Sequence, residues 1–330
     1  MHNFEYAAPR TEAEVLELLS ADPGKTEILA GGTDLVGLMK KMIVTPDRVV
    51  NIMEIPSLKQ LDRQPDGSLH IGAAVTLDEL LDSHYLDDYA AIKHAIRGIN
   101  SMQLQCQGTI GGEICQRPQC WFFRHGHGLL ADGDATVVDG DNRYHAIFGN
   151  SGPAKFVNSS RIAPALIALG AYVRLYGPKS EDEQFLPVED FYRVPRHDGQ
   201  RETTLLPNQL LTHFILPPAD GRSSATYEVR QSEGPDFPLA AAAAALRVEG
   251  GVVREARVVL GQVAPTPWIS QEAAALLVGR GIDTDIAEAA GEAAVARATP
   301  LSHNGYKVQL AKVAVKRAIL MAAGLPTGGF

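Results

Sequence analysis

Ile28-Leu29-Ala30-Gly31-Gly32-Thr33-Asp34-Leu35 is the stretch on which the fold turns. An apolar run reads as a strand, two glycines break it, and a helix follows from Leu35 to Lys41. Glycine lets a backbone approach a ligand closely, and unpaired N–H groups at such a bend favour an anion. The hydroxyl of Thr33 adds a donor. Taken alone, the same pattern also suits an ordinary strand-turn-helix connection. It matches neither the six-residue dinucleotide fingerprint nor the Walker A loop. A second bend, Gly108-Thr109-Ile110-Gly111-Gly112, lies about 75 residues further on. Two such bends suit a ligand with two phosphates held between two lobes.

Around the first bend the pattern is α-β-α-β. Thr11 to Glu14 has capping-box spacing before Val15, Leu16, Leu18 and Leu19, and Thr26–Ala30 and Arg48–Ile52 read as strands. A middle region follows. His70–Val75 is a predicted strand, Thr76 to Glu79 a second capping box, and Ala90–Ile99 a helix. Residues 101–158 are rich in Gly, Gln, Asn, Asp and His and show weak periodicity, so they read as a long functional loop region. Ile162–Leu169 is a predicted helix, and Ala171–Tyr176 and Gln209–Leu216 complete the region with Leu186–Tyr192. Beyond Pro217-Pro218 the composition shifts. Ala225–Arg230, Ala240–Glu249 and Val252–Leu260 read as antiparallel strands, with Glu249-Gly250-Gly251 as a hairpin turn, before three closing helices. The expected units are 1–55, 56–217 and 222–330.

The 330 residues are 45% hydrophobic, with a formal net charge of −9 and a pI near 5.6. No long basic run occurs, which argues against a nucleic-acid partner. No apolar stretch reaches membrane-spanning length, and no signal peptide is apparent, so a cytoplasmic protein is expected. The three cysteines, Cys106, Cys115 and Cys120, do not form a disulfide framework.

Ala30-Gly31-Gly32-Thr33-Asp34-Leu35 with Thr109-Ile110-Gly111-Gly112 resembles the FAD-binding subunits of the molybdenum hydroxylases. That group includes carbon monoxide dehydrogenase, 4-hydroxybenzoyl-CoA reductase and xanthine dehydrogenase. Phe4-Glu5-Tyr6 with Ala8-Pro9 is similar to the family's opening. Asn142-Arg143-Tyr144-His145-Ala146, Ala163 to Leu169 and Phe191 to Pro195 look like the hydroxybenzoyl-CoA reductase branch. Asn304-Gly305-Tyr306-Lys307-Val308 with Lys316-Arg317-Ala318 looks like the closing helix.

The resemblance implies an α+β chain: a two-lobed FAD-binding fold of the vanillyl-alcohol-oxidase type, plus a C-terminal α+β domain. It implies FAD, contacted by Leu29, Ala30, Gly31, Gly32, Thr33, Asp34, Leu35, Gly108, Thr109, Gly111, Gly112, Glu113, Ile114, Arg161, Leu210 and Glu228. Its partners would be a molybdopterin-binding large subunit and a [2Fe-2S] small subunit, assembled as a dimer of heterotrimers. Electrons would pass through the flavin to an acceptor such as NAD. The protein would position and tune the cofactor, which carries the chemistry.

Several residues depart from the family pattern. Glu113 stands where Asn is usual, Arg161 where Asp is frequent, and Glu228 where a Lys is common; Gln105-Cys106 replaces an Arg-Asn pair. A carboxylate facing a diphosphate is repelled unless paired or turned away, and a Glu113–Arg161 ion pair is one way out. These changes leave room for a flavin-deficient scaffold subunit; a stand-alone FAD oxidoreductase is a third reading. The reductase branch carries four cysteines for a [4Fe-4S] cluster, of which only Cys120 has a counterpart here, so no such cluster is expected. Cys115, Cys120, His125 and His127 form a loose zinc pattern; buried thiols and surface histidines are the simpler reading. Trp121-Phe122-Phe123 reads as a loop anchor or a cofactor contact, and Asp132, Asp134, Asp139 and Asp141 as a solvated acidic loop.

Overall fold

A computed structural model describes residues 1–132, 135–179 and 181–328. Asp134 lies outside the described residues. Three sheets organise the chain. The first is parallel, with β3 (Arg48–Asn51) between β1 (Glu5–Ala7) and β2 (Thr26–Leu29). Helices Glu12–Leu18 and Leu35–Lys40 connect its strands, as parallel pairing requires. Thr11 caps the first of these helices by accepting from the Glu14 amide at 3.2 Å. The Glu14 carboxylate reaches back one residue further than expected, to the Arg10 amide at 2.7 Å.

The second sheet has five antiparallel strands in the order β4 (Leu61–Arg63), β5 (Leu69–Gly72), β8 (Leu210–Leu216), β6 (Tyr172–Tyr176), β7 (Glu183–Pro187). Helices Leu77–Asp82, Ala90–Arg97 and Ala163–Ala168 close its core, which includes Leu80, Ile92, Ile96, Leu166 and Phe214. The Thr76–Glu79 capping box forms as its sequence predicts.

The third sheet is antiparallel, β12 (Trp268–Ile269), β11 (Val252–Gly261), β10 (Ala240–Glu249), β9 (Ser223–Val229). Gly250 and Gly251 take φ of 59° and 79°, as a tight hairpin between β10 and β11 demands. The run of alanines in β10 has a packing reason. Ala243 and Ala245 face the second-sheet core, while Ala240, Ala242 and Ala244 face helices Gln271–Leu277, Thr284–Val295 and Tyr306–Ala322. Small side chains let layers approach this strand on both faces. No helix among the described residues is long and apolar enough to cross a membrane.

The expected long loop, 101–158, is a chain of short helices: Met102–Gln107, Ile110–Cys115, Trp121–Arg124 and Ala135–Asp139. Each is too short to show a helical period, which is why the sequence reads as irregular.

Candidate flavin site

The two glycine bends meet. A Cβ built on Gly31 would lie 1.7 Å from the Gln107 carbonyl oxygen and 3.2 Å from the Gly108 Cα. Only glycine permits this approach. Gly32 needs its freedom for a second reason, a φ of +72°. Among the hydrogen bonds of the described residues, none uses the amides of Gly31, Gly32, Thr33 or Asp34. Four successive unpaired N–H groups at a partly open bend suit a diphosphate.

The second bend is built differently. Thr109 caps helix Ile110–Cys115, its hydroxyl accepting from the Gly112 amide at 3.1 Å. The amides of Ile110, Gly111 and Glu113 are tied to the oxygens of Val75, Ala73 and Thr109. Gly111 is glycine because a Cβ there would meet the Ala73 oxygen at 2.7 Å. This bend is a close-packing contact first. Gly112 is its exposed face. Ile114 and Leu210, two of the expected contacts, are buried in the cores of the second and first lobes.

Asp34 does more than flank the first bend. Its Oδ2 accepts from the Arg117 amide at 2.8 Å, and its Oδ1 pairs with Arg124 Nη2 at 2.7 Å. Arg124 also donates to the oxygens of Pro118 and Arg117, at 2.9 Å each. Arg117 in turn lies 2.5 Å from the buried Glu202 carboxylate and over the Phe123 ring. The first bend is thus clamped to segment 117–124. The sequence offers no signal for this, since the partners are about 85 residues apart.

Three of the departures from the family pattern, Glu113, Arg161 and Glu228, interlock. The Glu113 carboxylate is turned away from the first bend. Its Oε1 accepts from the Arg161 amide at 2.5 Å, the Ile162 amide at 3.4 Å and Ser160 Oγ at 3.2 Å, and its Oε2 from Gln116 Nε2 at 2.6 Å. Burial raises its pKa to about 7, against the pull of these donors. The expected Glu113–Arg161 ion pair is therefore corrected: Glu113 takes the Arg161 backbone, and the guanidinium goes elsewhere. It donates to the carbonyls of Gly98 and Asp236 and pairs with Glu228 at 3.4 Å. Arg161 and Glu228 are both almost fully enclosed, and burial lifts Glu228 to about 6. Each departure compensates another.

Against segment 117–124, to which the first bend is clamped, lies a cavity of about 280 Å³. That is near the lower end of the roughly 300–1,000 Å³ usual for small-molecule sites. Trp121, Tyr144, Phe156 and Phe237 supply aromatic walls, and Cys120, His145, Gln262 and Lys307 line it too. Two stretches that carry the family resemblance dock here. Asn304 Nδ2 donates to the carbonyls of His145 and Ala146, and Tyr306 to that of Arg143. Cys120 Sγ lies 3.2 Å from His145 Nε2. Burial raises the thiol and lowers His145 to about 4, so both are neutral and the pair is no activated nucleophile.

The four residues of the loose zinc pattern go separate ways. Cys115 packs on the second-lobe core and Cys120 on another cluster; His125 Nδ1 contacts the Trp121 carbonyl and His127 Nδ1 the Asp132 carboxylate. Asp141 pairs with Arg143.

Comparison with known proteins agrees with this architecture. The family described as "FAD binding domain in molybdopterin dehydrogenase" matches residues 2–219. The "CO dehydrogenase flavoprotein C-terminal domain" matches 214–322. The aldehyde oxidoreductase FAD-binding subunit PaoB of Escherichia coli (strain K12) is 31% identical over 94% of this chain and 96% of its own. The carbon monoxide dehydrogenase medium chain of Hydrogenophaga pseudoflava is 26% identical over 96% of each. A solved structure of that organism's carbon monoxide dehydrogenase, lacking the Mo-pyranopterin moiety of the cofactor, superposes with a TM-score of 0.76 at 26% identity, covering 98% of both chains. The chain belongs to the family of FAD-binding subunits of the molybdenum hydroxylases, the carbon monoxide and xanthine dehydrogenase group.

Proposed function

We propose that this chain is the FAD-carrying electron-transfer subunit of a molybdenum-containing hydroxylase or dehydrogenase. FAD lies between the units 1–55 and 56–217, with 222–330 completing the wall around its ring. The unpaired amides of Gly31 to Asp34 hold the diphosphate, and the 280 Å³ cavity takes the ring. The observation that carries this reading is the 1.7 Å that would separate a Gly31 Cβ from Gln107, because it joins two distant bends into one cradle. Bound there, flavin supplies two-electron and one-electron redox chemistry. The chain's own part is to grip the diphosphate, orient the ring with aromatic walls and exclude water through the 231–237 loop.

The partners in this reading are a molybdopterin-binding large subunit and a [2Fe-2S] small subunit, in a dimer of heterotrimers in the cytoplasm. The iron–sulfur subunit delivers electrons, which leave to an acceptor such as NAD. Support comes from the relatives, which are named as subunits or chains of such enzymes. One observation favours a second reading, the flavin-deficient scaffold: Arg161 is held by the Gly98 and Asp236 carbonyls and by Glu228 Oε2 without a ligand. Flavin content decides. The purified complex is expected to release one FAD per copy of this chain on denaturation. A colourless subunit that still assembles with its partners would establish the scaffold.

A further inference from the structure

Asp34 ends the first bend, directly before helix Leu35–Lys40. An aspartate at such a place ordinarily turns its carboxylate onto nearby amides that lack partners. Here it makes no bond of that kind. Its Oδ2 accepts from the Arg117 amide at 2.8 Å, and its Oδ1 pairs with Arg124 Nη2 at 2.7 Å. The bend therefore combines four unpaired amides with a carboxylate that is drawn away from them. Released from Arg124, that carboxylate would be attracted to the open amides and would repel a diphosphate arriving there.

The group that draws it away is itself fixed from the second unit. Arg124 donates to the carbonyls of Pro118 and Arg117. The Gln119 amide donates to Ser159 Oγ at 2.9 Å, and Arg117 Nε lies 2.5 Å from Glu202, whose side chain is 4% exposed. The residue before Glu202 reaches the other flank of the bend: Arg201 pairs at 3.6 Å with Glu27, on the strand β2 that leads into it. Glu27, Glu202 and Asp34 thus face Arg201, Arg117 and Arg124, and the charges cancel pair by pair. Each pair joins segments far apart in the chain, so the arrangement exists only when both units are in place.

We propose that Arg124 and Glu202 are positioning residues for diphosphate binding: they hold the Asp34 carboxylate off the first bend and cancel its charge, so that the four amides stay open for an anion. This rests on the flavin reading and adds to it the side chains that keep the cradle vacant. Arg124 acts on Asp34 directly. Glu202 acts one step further back, through Arg117, whose amide bonds Asp34 and whose carbonyl bonds Arg124. Without them Asp34 becomes the bend's own competitor for its ligand.

The test measures FAD affinity in the apo-form of the purified complex by quenching of flavin fluorescence, with melting temperature alongside. Arg124→Gln keeps a donor for the neighbouring carbonyls but no charge, and is expected to bind FAD about tenfold or more weakly. Adding Asp34→Ala to it should recover most of that loss, to within about threefold of native. A residue that merely supports the fold cannot give this result, because the second substitution removes a further hydrogen bond, the one from the Arg117 amide. Arg124→Lys, which keeps the charge, should also bind within about threefold of native. Glu202→Gln should weaken FAD by a smaller factor, about threefold, and that loss too should disappear once Asp34 is replaced by alanine. Where Arg124→Gln does not fold, the Glu202→Gln comparison decides alone. Undiminished affinity in Arg124→Gln, or a loss that Asp34→Ala leaves in place, overturns the positioning role while the flavin reading stands. A native protein that binds no FAD overturns the flavin reading itself, and this assignment with it.

Discussion

The two glycine bends look alike in sequence and differ in what they do. At the first, Gly31 and Gly32 leave four amides unpaired at a partly open surface. At the second, Gly111 is buried against Ala73 and the amides of Ile110, Gly111, Gly112 and Glu113 are already spent inside the fold. One bend is open for a ligand; the other holds the first in place. A Gly-Gly pair near a hydroxyl residue is thus compatible with two physical needs, close approach to an anion and close approach to a neighbouring strand.

This contrast can be broken most directly at Gly31. Gly31→Ala places a Cβ 1.7 Å from a backbone oxygen, so the loop must move. The expected result is loss of retained FAD with the largest fall in melting temperature of this series. Native FAD content in that variant would mean the bends do not form one cradle. Gly111→Ala comes next. Its Cβ meets Ala73 at 2.7 and 2.9 Å, and overpacking of this kind costs about 1–3 kcal/mol, read as a shifted denaturation midpoint. FAD affinity should fall only as far as the fold loosens.

A pH series sharpens the role of Glu113. Its folded pKa, about 7, is raised from 4.5, so between those values the folded state binds a proton that the unfolded state has lost. That contribution is fully present below about pH 4.5 and is lost as pH rises to about 7. Relative to Glu113→Gln, the native protein should therefore lose stability across this window in urea titrations. A difference that stays flat with pH would show that the carboxylate is not enclosed. The smallest effect is expected at Gly112, which is exposed and crowded only by Thr109 Oγ1 at 3.1 Å. Gly112→Ala should melt within about 0.5 kcal/mol of native. Gly112→Asp is the informative partner. A drop in FAD retention without a change in melting would show that this face of the second bend also meets the phosphates.

Much of the fold is legible from local pattern. The Thr76–Glu79 box, the Glu249–Gly251 hairpin and the three closing helices are set by residues within one turn or two strands of each other. Strands β1, β4 and β12 are not legible, because two or three residues cannot display an alternation, and β7 is an edge strand whose first three residues are all exposed. The candidate site divides the same way. The bends are visible as glycines; the Asp34–Arg124 clamp, the Arg161–Glu228 pair and the Cys120–His145 contact are not. Glu113, Arg161 and Glu228 each looked like a separate fault in the sequence.

The order of residues by itself determined which segments become strands, helices and bends, since backbone freedom and apolar periodicity act over a few positions. It also carried the family pattern. Only the tertiary structure decided which amides stay unpaired and which charges meet. Hydrogen bonds and ion pairs act over a few ångströms, and the chain brings those groups within reach only after its three sheets have packed.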